Sequence, residues 1–289
     1  MKVLVVGATG FVGSQVAQAL CANGHQTRVL VRGGRAHPRG SQFEGRVDVA
    51  DGDLTRPETL ASGCAGIEAA VCTATSMPLC HENGLLSVDQ DGVSALIEAA
   101  EKAGTKKFVY TSYSGNIRYD SPLETAKRSC ESLLLNSAMW AVILRPSYFM
   151  EMWFSPALGF DPLNSVARIY GSGMERVSYV SAHDVAKFAV AAVEKEISVD
   201  QIVEIGGPEP LSQLQAVSIF ESALRTKFSL DSVPLEALYM QHRSTDPLQK
   251  TFAALMLSYA KGDAIAEAAA KQRNLALGCT RSQSTPPGS

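Results

Sequence analysis

The stretch GATGFVG at positions 7–13 constrains the fold more than any other feature of the chain. Its three glycines, spaced by three, follow the apolar run VLVV and precede a segment with helical periodicity, SQVAQALCANG. This order predicts a buried strand joined to a helix by a tight turn. Gly7 would permit the turn, Gly10 would let the backbone approach a pyrophosphate, and Gly13 would let the helix lie close to the strand. The alternative is a glycine-rich turn that binds no ligand.

Strand-like and helix-like segments alternate through the first half of the chain. Strands are predicted at KVLVV, TRVLVR, EAAVCTAT, KKFVYTS and AVILRPS, and a second helix at VSALIEAAEKAG, ending in Gly104. Apolar β-branched runs that alternate with amphipathic helices favour a parallel sheet covered on both faces. We therefore predict an α/β fold with a doubly wound parallel sheet (Rossmann) over residues 1–145, which would form a dinucleotide-binding domain.

The character of the chain changes after Arg145. Aromatic residues cluster in SYFMEMWF, and a helix (DVAKFAVAAVEK), a strand (QIVEIGG) and a helix starting at Ser212 follow. We predict that residues 146–262 form a smaller substrate-binding lobe on the carboxyl ends of the sheet strands. A C-terminal helix and a disordered tail are predicted for residues 263–289.

Composition narrows the classes of partner. The net charge of −3 gives no basic surface for a nucleic acid or an anionic membrane. Apolar runs are too short for a membrane span, and no signal peptide is recognised. Six scattered cysteines without a C-x-x-C pair predict reduced thiols and a cytoplasmic protein, and the five dispersed histidines predict no metal site. A small-molecule substrate and a monomer or homodimer are expected.

The end of the second predicted strand is basic. RVLVRGGRAHPR contains Arg28, Arg32, Arg35 and Arg39, and no acidic residue follows until Glu44. A carboxylate at this position binds ribose hydroxyls, whereas a guanidinium binds a 2′-phosphate through paired hydrogen bonds. The sequence thus favours NADP(H) over NAD(H), with Arg32 best placed and Arg35 following it. A solvated basic loop is the alternative.

A lysine lies near the start of a well-marked helix. Ser121 and Glu124 have the spacing of a capping box, and Pro122 occupies the first helical position. Helical periodicity places Lys127 at the border of the apolar face, from which it could reach inward to a ligand. It could equally extend into water or pair with Glu131.

Several motifs together resemble the NmrA-like branch of the atypical short-chain dehydrogenase/reductases. They are GATGFVG, the basic end of the second strand, GDL at 52–54, VYTS, AKRSCE, ILRPSYFME, HDVA at 183–186 and IGGPEPLS, and they span roughly residues 1–262. The joint pattern is specific for the superfamily and does not identify a substrate. HDVA itself is interpreted as the start of a helix and not as a catalytic pair.

The resemblance implies a set of site residues. The pyrophosphate would be lined by Gly7, Thr9, Gly10, Phe11, Val12 and Gly13, the adenine by Asp53 and Leu54, and the ribose by Thr73, Ala74 and Thr75. Lys127 would hold the nicotinamide ribose hydroxyls and assist proton transfer. Pro146, Ser147 and Tyr148 would border the nicotinamide. Tyr148, Phe149, Met152 and Trp153 would lead into the substrate pocket, although ordinary core between two lobes is an equal expectation for each aromatic residue.

One position departs from the wider superfamily. Many relatives place a tyrosine four residues before the lysine, where a phenol of lowered pKa donates the proton that accompanies hydride transfer. Leu123 occupies that position here. The replacement candidates are Ser112, Tyr113, Tyr119, Tyr148 and water, and we take Lys127, Tyr113 and Ser112 as the candidate catalytic set.

Three functions are compatible with these features. The first is an NADPH-dependent reductase that transfers hydride to a small aromatic, quinone-like or carbonyl/enone acceptor. The second is a non-catalytic NADP(H)-sensing regulatory protein, an alternative motivated by the absent tyrosine. A weaker alternative is an isomerase or lyase on the same fold.

Overall fold

The computed structural model describes residues 1–33, 45, 47–77, 84–196 and 199–265. The strands within these ranges are β1 (Lys2–Val6), β2 (Gln26–Val31), β3 (Asp48–Asp51), β4 (Ala69–Cys72), β5 (Lys107–Thr111), β6 (Trp140–Pro146), β7 (Phe160–Asp161), β8 (Val166–Tyr170), β9 (Arg176–Val177), β10 (Gln201–Ile205), β11 (Leu211–Ser212) and β12 (Ser229–Val233).

The α-helices of the same ranges are α1 (Phe11–Ala22), α2 (Leu60–Cys64), α3 (Val93–Lys102), α4 (Pro122–Leu135), α5 (Met150–Trp153), α6 (Ala182–Glu194), α7 (Gln213–Leu224), α8 (Leu235–His242) and α9 (Pro247–Lys261). A π-helical segment, Leu85–Gly92, leads directly into α3, and 3₁₀ turns occur at Pro57–Thr59 and Pro156–Leu158.

The central sheet has seven strands in the order β10-β6-β5-β4-β1-β2-β3, and every neighbouring pair is parallel. The predicted doubly wound Rossmann sheet is confirmed. Its strands are continuous apolar runs because both faces are covered by helices. In β1, Val3 and Val5 pack in the layer that contains α1 and α6, whereas Leu4 and Val6 pack in the layer that contains α2, α3 and α4.

Two elements that the sequence analysis assigned to the smaller lobe belong to this sheet layer. Strand β10 pairs with β6, with Ile205 opposite Pro146, and α6 packs against α1 beneath the sheet. The prediction that they belong to the smaller lobe is wrong. The chain leaves the large sheet after β6 and later comes back to it, where β10 forms the edge strand beside β6. The boundaries at residues 145 and 262 stay a prediction.

The smaller lobe lies beyond the carboxyl ends of the strands. It contains the three-stranded sheet β12-β8-β7, the two-stranded sheet β11-β9 and helices α7, α8 and α9. Its core combines aromatic side chains with aliphatic ones. Helix α9 ends at Lys261, so the helix and tail predicted for residues 263–289 fall mostly outside the described residues.

Candidate cofactor-binding and active site

The glycine turn lies at the carboxyl end of β1, as the sequence predicts. Gly7 has a φ of +89°, a conformation that favours glycine. A Cβ atom on Gly7 would lie 2.7 Å from Thr73 Oγ1 and 2.8 Å from the Ala74 amide nitrogen. The turn therefore presses against the segment that follows β4. This contact brings together two groups of predicted cofactor residues.

The other two glycines differ in what surrounds them. A Cβ on Gly13 would lie only 2.2 Å from the Gly7 carbonyl oxygen, so the start of α1 fits closely against the turn. A Cβ on Gly10 would lie 3.1 Å from the Gly7 carbonyl oxygen, a tight contact but a far less severe one than at Gly13. Gly10 caps α1 without a side-chain hydrogen bond, and the first-turn amides of a helix have no partner within it. A residue without a side chain beside such amides fits the close approach of a pyrophosphate.

The residues expected around the adenine and its ribose are less uniform. Arg32 directly follows β2 and is exposed, whereas Arg35 lies outside the described residues. Arg28 is engaged with Asp48 at 2.6 Å and with the carbonyls of residues 62, 63 and 65, so it is a structural residue. Asp53 accepts hydrogen bonds from the amide and hydroxyl of Thr55, and Leu54 packs in the core.

Lys127 points inward. It is 5% exposed, and its Nζ lies 3.4 Å from Oδ1 of Asp89, which is fully buried. The ammonium also lies 5.2 Å from the centre of the Tyr110 ring. Neither extension into water nor pairing with Glu131 is observed. Lys127 and Asp89 form a buried ion pair.

Asp89 was not recognised from the sequence. It belongs to the π-helical segment Leu85–Gly92, and its Oδ2 accepts hydrogen bonds from the amide and hydroxyl of Ser76. Ser76 directly follows Thr75, so the carboxylate connects Lys127 to the segment after β4. The irregular helix removes the 3.6-residue periodicity from which Asp89 could have been placed. The sequence indicates this partner of Lys127 only through an acidic residue within the segment LLSVDQDG.

The candidate phenols lie in different environments. Tyr110 is fully buried beside Lys127, and burial raises the pKa of its hydroxyl well above the usual value. Tyr113 stacks under Arg128, whose guanidinium carbon lies 4.9 Å from the ring centre, and burial also raises the pKa of Tyr113. Among the described residues, the phenol beside Lys127 is thus Tyr110 and not the predicted Tyr113.

A charged cluster holds the loop that follows β5. Glu131 is 3% exposed and binds Arg128 and Arg145, and Arg145 extends to Glu204 at 3.2 Å. The loop is held at both sides, because Arg128 donates to the Ser114 carbonyl and Glu204 accepts from the amide of residue 115. Burial disfavours the charge on Glu131, but the hydrogen bonds from Arg145 and the nearby charge of Arg128 outweigh this effect and lower its pKa. Ser112 is buried at the carboxyl end of β5, and its hydroxyl has no hydrogen-bond partner among the described residues.

Replacing Glu131 with glutamine is expected to lower the free energy of unfolding by about 3 kcal/mol near neutral pH, because two arginines lose a buried carboxylate. The lowered pKa means that ionised Glu131 stabilises the fold above its ordinary value of 4.5 and that this contribution is lost as the pH falls below it. Urea unfolding measured from neutral to acidic pH should show the difference between native protein and variant narrowing. A constant difference would contradict this assignment.

The aromatic residues after β6 form a filled cluster. Tyr148 is 4% exposed, and the ring centres of Trp153 and Tyr259 are 4.0 Å apart. The cavity against Trp153 and Tyr259 has a volume of about 10 Å³, room for about one water molecule at most. Tyr148 and Trp153 thus contribute to the aromatic core in this structure.

Three other residues of this segment are placed differently. Phe149 lies edge-on to Phe11, with ring centres 6.4 Å apart, and so connects the segment to the glycine turn. Met152 is partly buried, and Ser147 is buried at the carboxyl end of β6.

A second cavity opens between the π-helical segment and the start of α4. It has a volume of about 300 Å³ and is lined by Leu85, Leu86, Gln90, Asp120, Ser121, Pro122, Thr125 and Lys250. A volume of this size is at the lower end of those of small-molecule sites. Two of its walls are the π-helical segment and the start of α4, which carry Asp89 and Lys127, and Lys250 of α9 completes the lining.

The structure also bears on two predicted helix starts, on metal ligands and on membrane-spanning helices. Ser121 accepts from the amide of Glu124, and Ser181 accepts from that of Asp184, so the helix starts predicted there are confirmed. Within the described ranges, no three His, Cys, Asp or Glu side chains come together as metal ligands. None of the described helices combines the length and the apolar character needed to cross a membrane.

The parallel sheet and the glycine turn define a dinucleotide-binding protein of the Rossmann type. Residues 7–196 match the family described as NAD(P)H-binding, and this chain belongs to that family. The recognition of an NmrA-like, atypical short-chain dehydrogenase/reductase is confirmed, as is the expectation of an NAD(P)H cofactor.

Two named relatives and one solved structure are similar to this chain. Photosystem II assembly factor Ycf39 of Trieres chinensis is 30% identical over 243 residues, which cover 81% of this chain and 73% of that protein. An NAD(P)H azoreductase of Xenophilus azovorans is 29% identical over 237 residues, covering 81% and 78%. The crystal structure of Citrobacter sp. triphenylmethane reductase complexed with NADP(H) matches with a TM-score of 0.74 and 20% identity over 94% of each chain, a likeness of fold.

Proposed function

We propose that this protein is an NADPH-dependent reductase that transfers hydride to a small aromatic, quinone-like or enone acceptor. The observation that carries the proposal is that the glycine turn and the segment bound to the Lys127–Asp89 pair meet at the carboxyl ends of β1 and β4. Ligands of open α/β sheets bind at this edge. NADPH supplies the hydride when bound, and the protein orients it and excludes water.

The cleft between the π-helical segment and α4 is the proposed site of the acceptor. Its volume of about 300 Å³ accommodates a small organic molecule, whereas the cavity of about 10 Å³ in the aromatic cluster does not. Leu85, Leu86 and Pro122 supply apolar contacts, and Gln90 and Thr125 supply polar ones. Roles for Tyr148, Phe149, Met152 and Trp153 at the acceptor, and for Pro146 and Ser147 beside the nicotinamide, stay predictions.

The proton that completes the reduction has no side-chain donor of the usual kind, because Leu123 occupies the tyrosine position. Burial raises the pKa of Tyr113, which opposes loss of its proton. We propose that solvent in the cleft delivers the proton and that Lys127 holds the cofactor. Catalytic roles for Ser112 and Tyr113 stay predictions.

The test is oxidation of NADPH by panels of quinones, enones and aldehydes, with binding of NADPH measured separately. We expect turnover with at least one apolar quinone or enone. Replacing Thr125 with tryptophan should narrow the cleft and raise KM for the acceptor, while the exposed Lys102→Ala control should not. Bound NADPH without turnover on any acceptor of these classes would refute the reductase proposal.

Preference for NADPH over NADH is proposed to depend on Arg32. A guanidinium hydrogen-bonded to a phosphate contributes about 1.5–3 kcal/mol, so Arg32→Ala should weaken NADPH binding by about tenfold or more and leave NADH binding nearly unchanged. Isothermal titration with both nucleotides measures this. Lys102→Ala, which removes one exposed charge from the end of α3, is the control. If the variant loses equal affinity for NADPH and NADH, Arg32 does not bind the 2′-phosphate.

A non-catalytic NADP(H) sensor is the second candidate, favoured by the filled aromatic cluster and by Leu123. The relative named as a photosystem II assembly factor supports a role in which the chain acts on another protein. Such a sensor would bind its partner differently when loaded with NADPH or NADP⁺. Equal partner affinity in the two states would exclude it. A cytoplasmic location stays a prediction for either function.

A further inference from the structure

The carboxylate of Asp263 is buried next to β9, a strand of the two-stranded sheet. Asp263 follows α9 and is 2% exposed. Its amide donates to the Arg176 carbonyl at 2.9 Å, and its carbonyl accepts from the Ser178 amide at 2.9 Å. These bonds form an isolated parallel β-bridge between Asp263 and Val177 of β9, and they fix the backbone of Asp263 in place.

Three neutral donors converge on this carboxylate. Ser114 Oγ and Asn116 Nδ2 donate to Oδ1 at 2.9 and 2.7 Å, and Ser147 Oγ donates to Oδ2 at 2.7 Å. A carboxylate oxygen can only accept, and each of these three bonds supplies it with a donor. None of the ion pairs within the described residues includes Asp263. The negative charge is thus held by dipoles and is not neutralised by a neighbouring cation.

The carboxylate of Asp263 is bound by residues that follow two neighbouring strands of the large sheet. Ser114 comes shortly after β5 and Ser147 directly after β6, two adjacent strands of the parallel sheet. Their carboxyl ends form the edge at which such sheets bind ligands. The resemblance to the NmrA-like reductases predicts that residues 146–148 border the nicotinamide. Asp263 is one hydrogen bond away from that border, through Ser147.

We propose that Asp263 is an electrostatic positioning residue that favours the oxidised cofactor, an inference that rests on the proposed function. Hydride transfer moves two electrons and one proton from the reduced ring to the acceptor carbon and leaves the ring with a positive charge, and a solvent proton completes the product. A fixed, unneutralised carboxylate in the low-dielectric interior stabilises that positive charge. Asp263 thereby makes bound NADPH a stronger hydride donor.

The test compares the affinities of two nucleotides that differ at the nicotinamide ring. Dissociation constants for NADPH and NADP⁺ are measured by calorimetry on the native chain and on Asp263→Asn, a neutral isostere. We expect the NADP⁺ constant of the variant to rise about tenfold relative to that of NADPH, as one charge acting through an effective dielectric of about 20 would give. A purely structural role would weaken both nucleotides equally.

Controls separate the possible failures. Asp263→Ser, a smaller neutral residue, is made in parallel in case the amide variant does not fold. Asp231→Asn removes an exposed carboxylate of the smaller lobe and should leave the ratio unchanged. An unchanged ratio in a folded Asp263 variant that binds both nucleotides overturns this inference. Failure of the native chain to bind either nucleotide would instead overturn the proposed function.

Discussion

Gly13→Ala is expected to lower the free energy of unfolding by about 3 kcal/mol, at the upper end of the usual cost of overpacking. The new Cβ would lie 2.2 Å from the Gly7 carbonyl oxygen and 2.5 Å from Thr73 Oγ1. Backbone atoms cannot move aside as a flexible side chain can, so α1 would shift away from the turn. Urea unfolding measures the loss, and calorimetry should show that NADPH binding is lost with it.

Gly10→Ala is the matched comparison. Its Cβ would lie 3.1 Å from the Gly7 carbonyl oxygen, which a shift of a few tenths of an ångström relieves, so we expect a loss of about 1 kcal/mol, well below that of Gly13→Ala. NADPH affinity should nevertheless fall by about tenfold or more, because the methyl group would keep the pyrophosphate from approaching the backbone. If Gly10→Ala binds NADPH as tightly as the native chain, the pyrophosphate does not lie there.

The second large effect is expected for Asp89→Ala, which should destabilise the fold by about 3–5 kcal/mol near neutral pH. The substitution leaves the ammonium of Lys127 buried at 5% exposure without its carboxylate and removes the acceptor of two hydrogen bonds from Ser76. Denaturant unfolding measures the stability. A loss below about 1 kcal/mol would show that the pair contributes little in solution.

A double-mutant cycle separates the charge from the packing. Lys127→Met keeps the length of the side chain without its charge, and Asp89→Asn keeps the shape of the carboxylate. Combining them should cost less than the sum of the two single changes, because neither buried charge is then left alone. Strict additivity would contradict the ion pair. Lys127→Met should also weaken NADPH binding if Lys127 holds the cofactor.

The glycine turn and the strands were predictable because they depend on local features. An unbroken apolar run predicts a strand buried on both faces, and Gly7 and Gly13 are required by contacts that any strand-turn-helix unit of this kind makes. The return of β10 to the sheet was not predictable in this way. QIVEIGG predicts a strand, but only its register opposite β6 places it in the large sheet.

Side-chain partners were harder to predict than elements. Lys127 was placed at the border of an apolar face, yet its partner Asp89 lies 38 positions earlier in the chain (127 − 89), in a π-helical segment without regular periodicity. Asp263 reaches Ser147 from 116 positions away. Such contacts follow from the packing of the lobes. The aromatic cluster gave the same difficulty, because a run of aromatic residues does not reveal whether it lines a pocket or fills one.

Calorimetry of the purified, folded chain with NADPH is the decisive experiment for the proposed cofactor site. We expect saturable binding of one NADPH per chain, tighter than that of NADH, and binding weakened about tenfold or more in a folded Gly10→Ala variant. Absence of any heat of binding at ligand concentrations far above those of ordinary cofactor sites would contradict it.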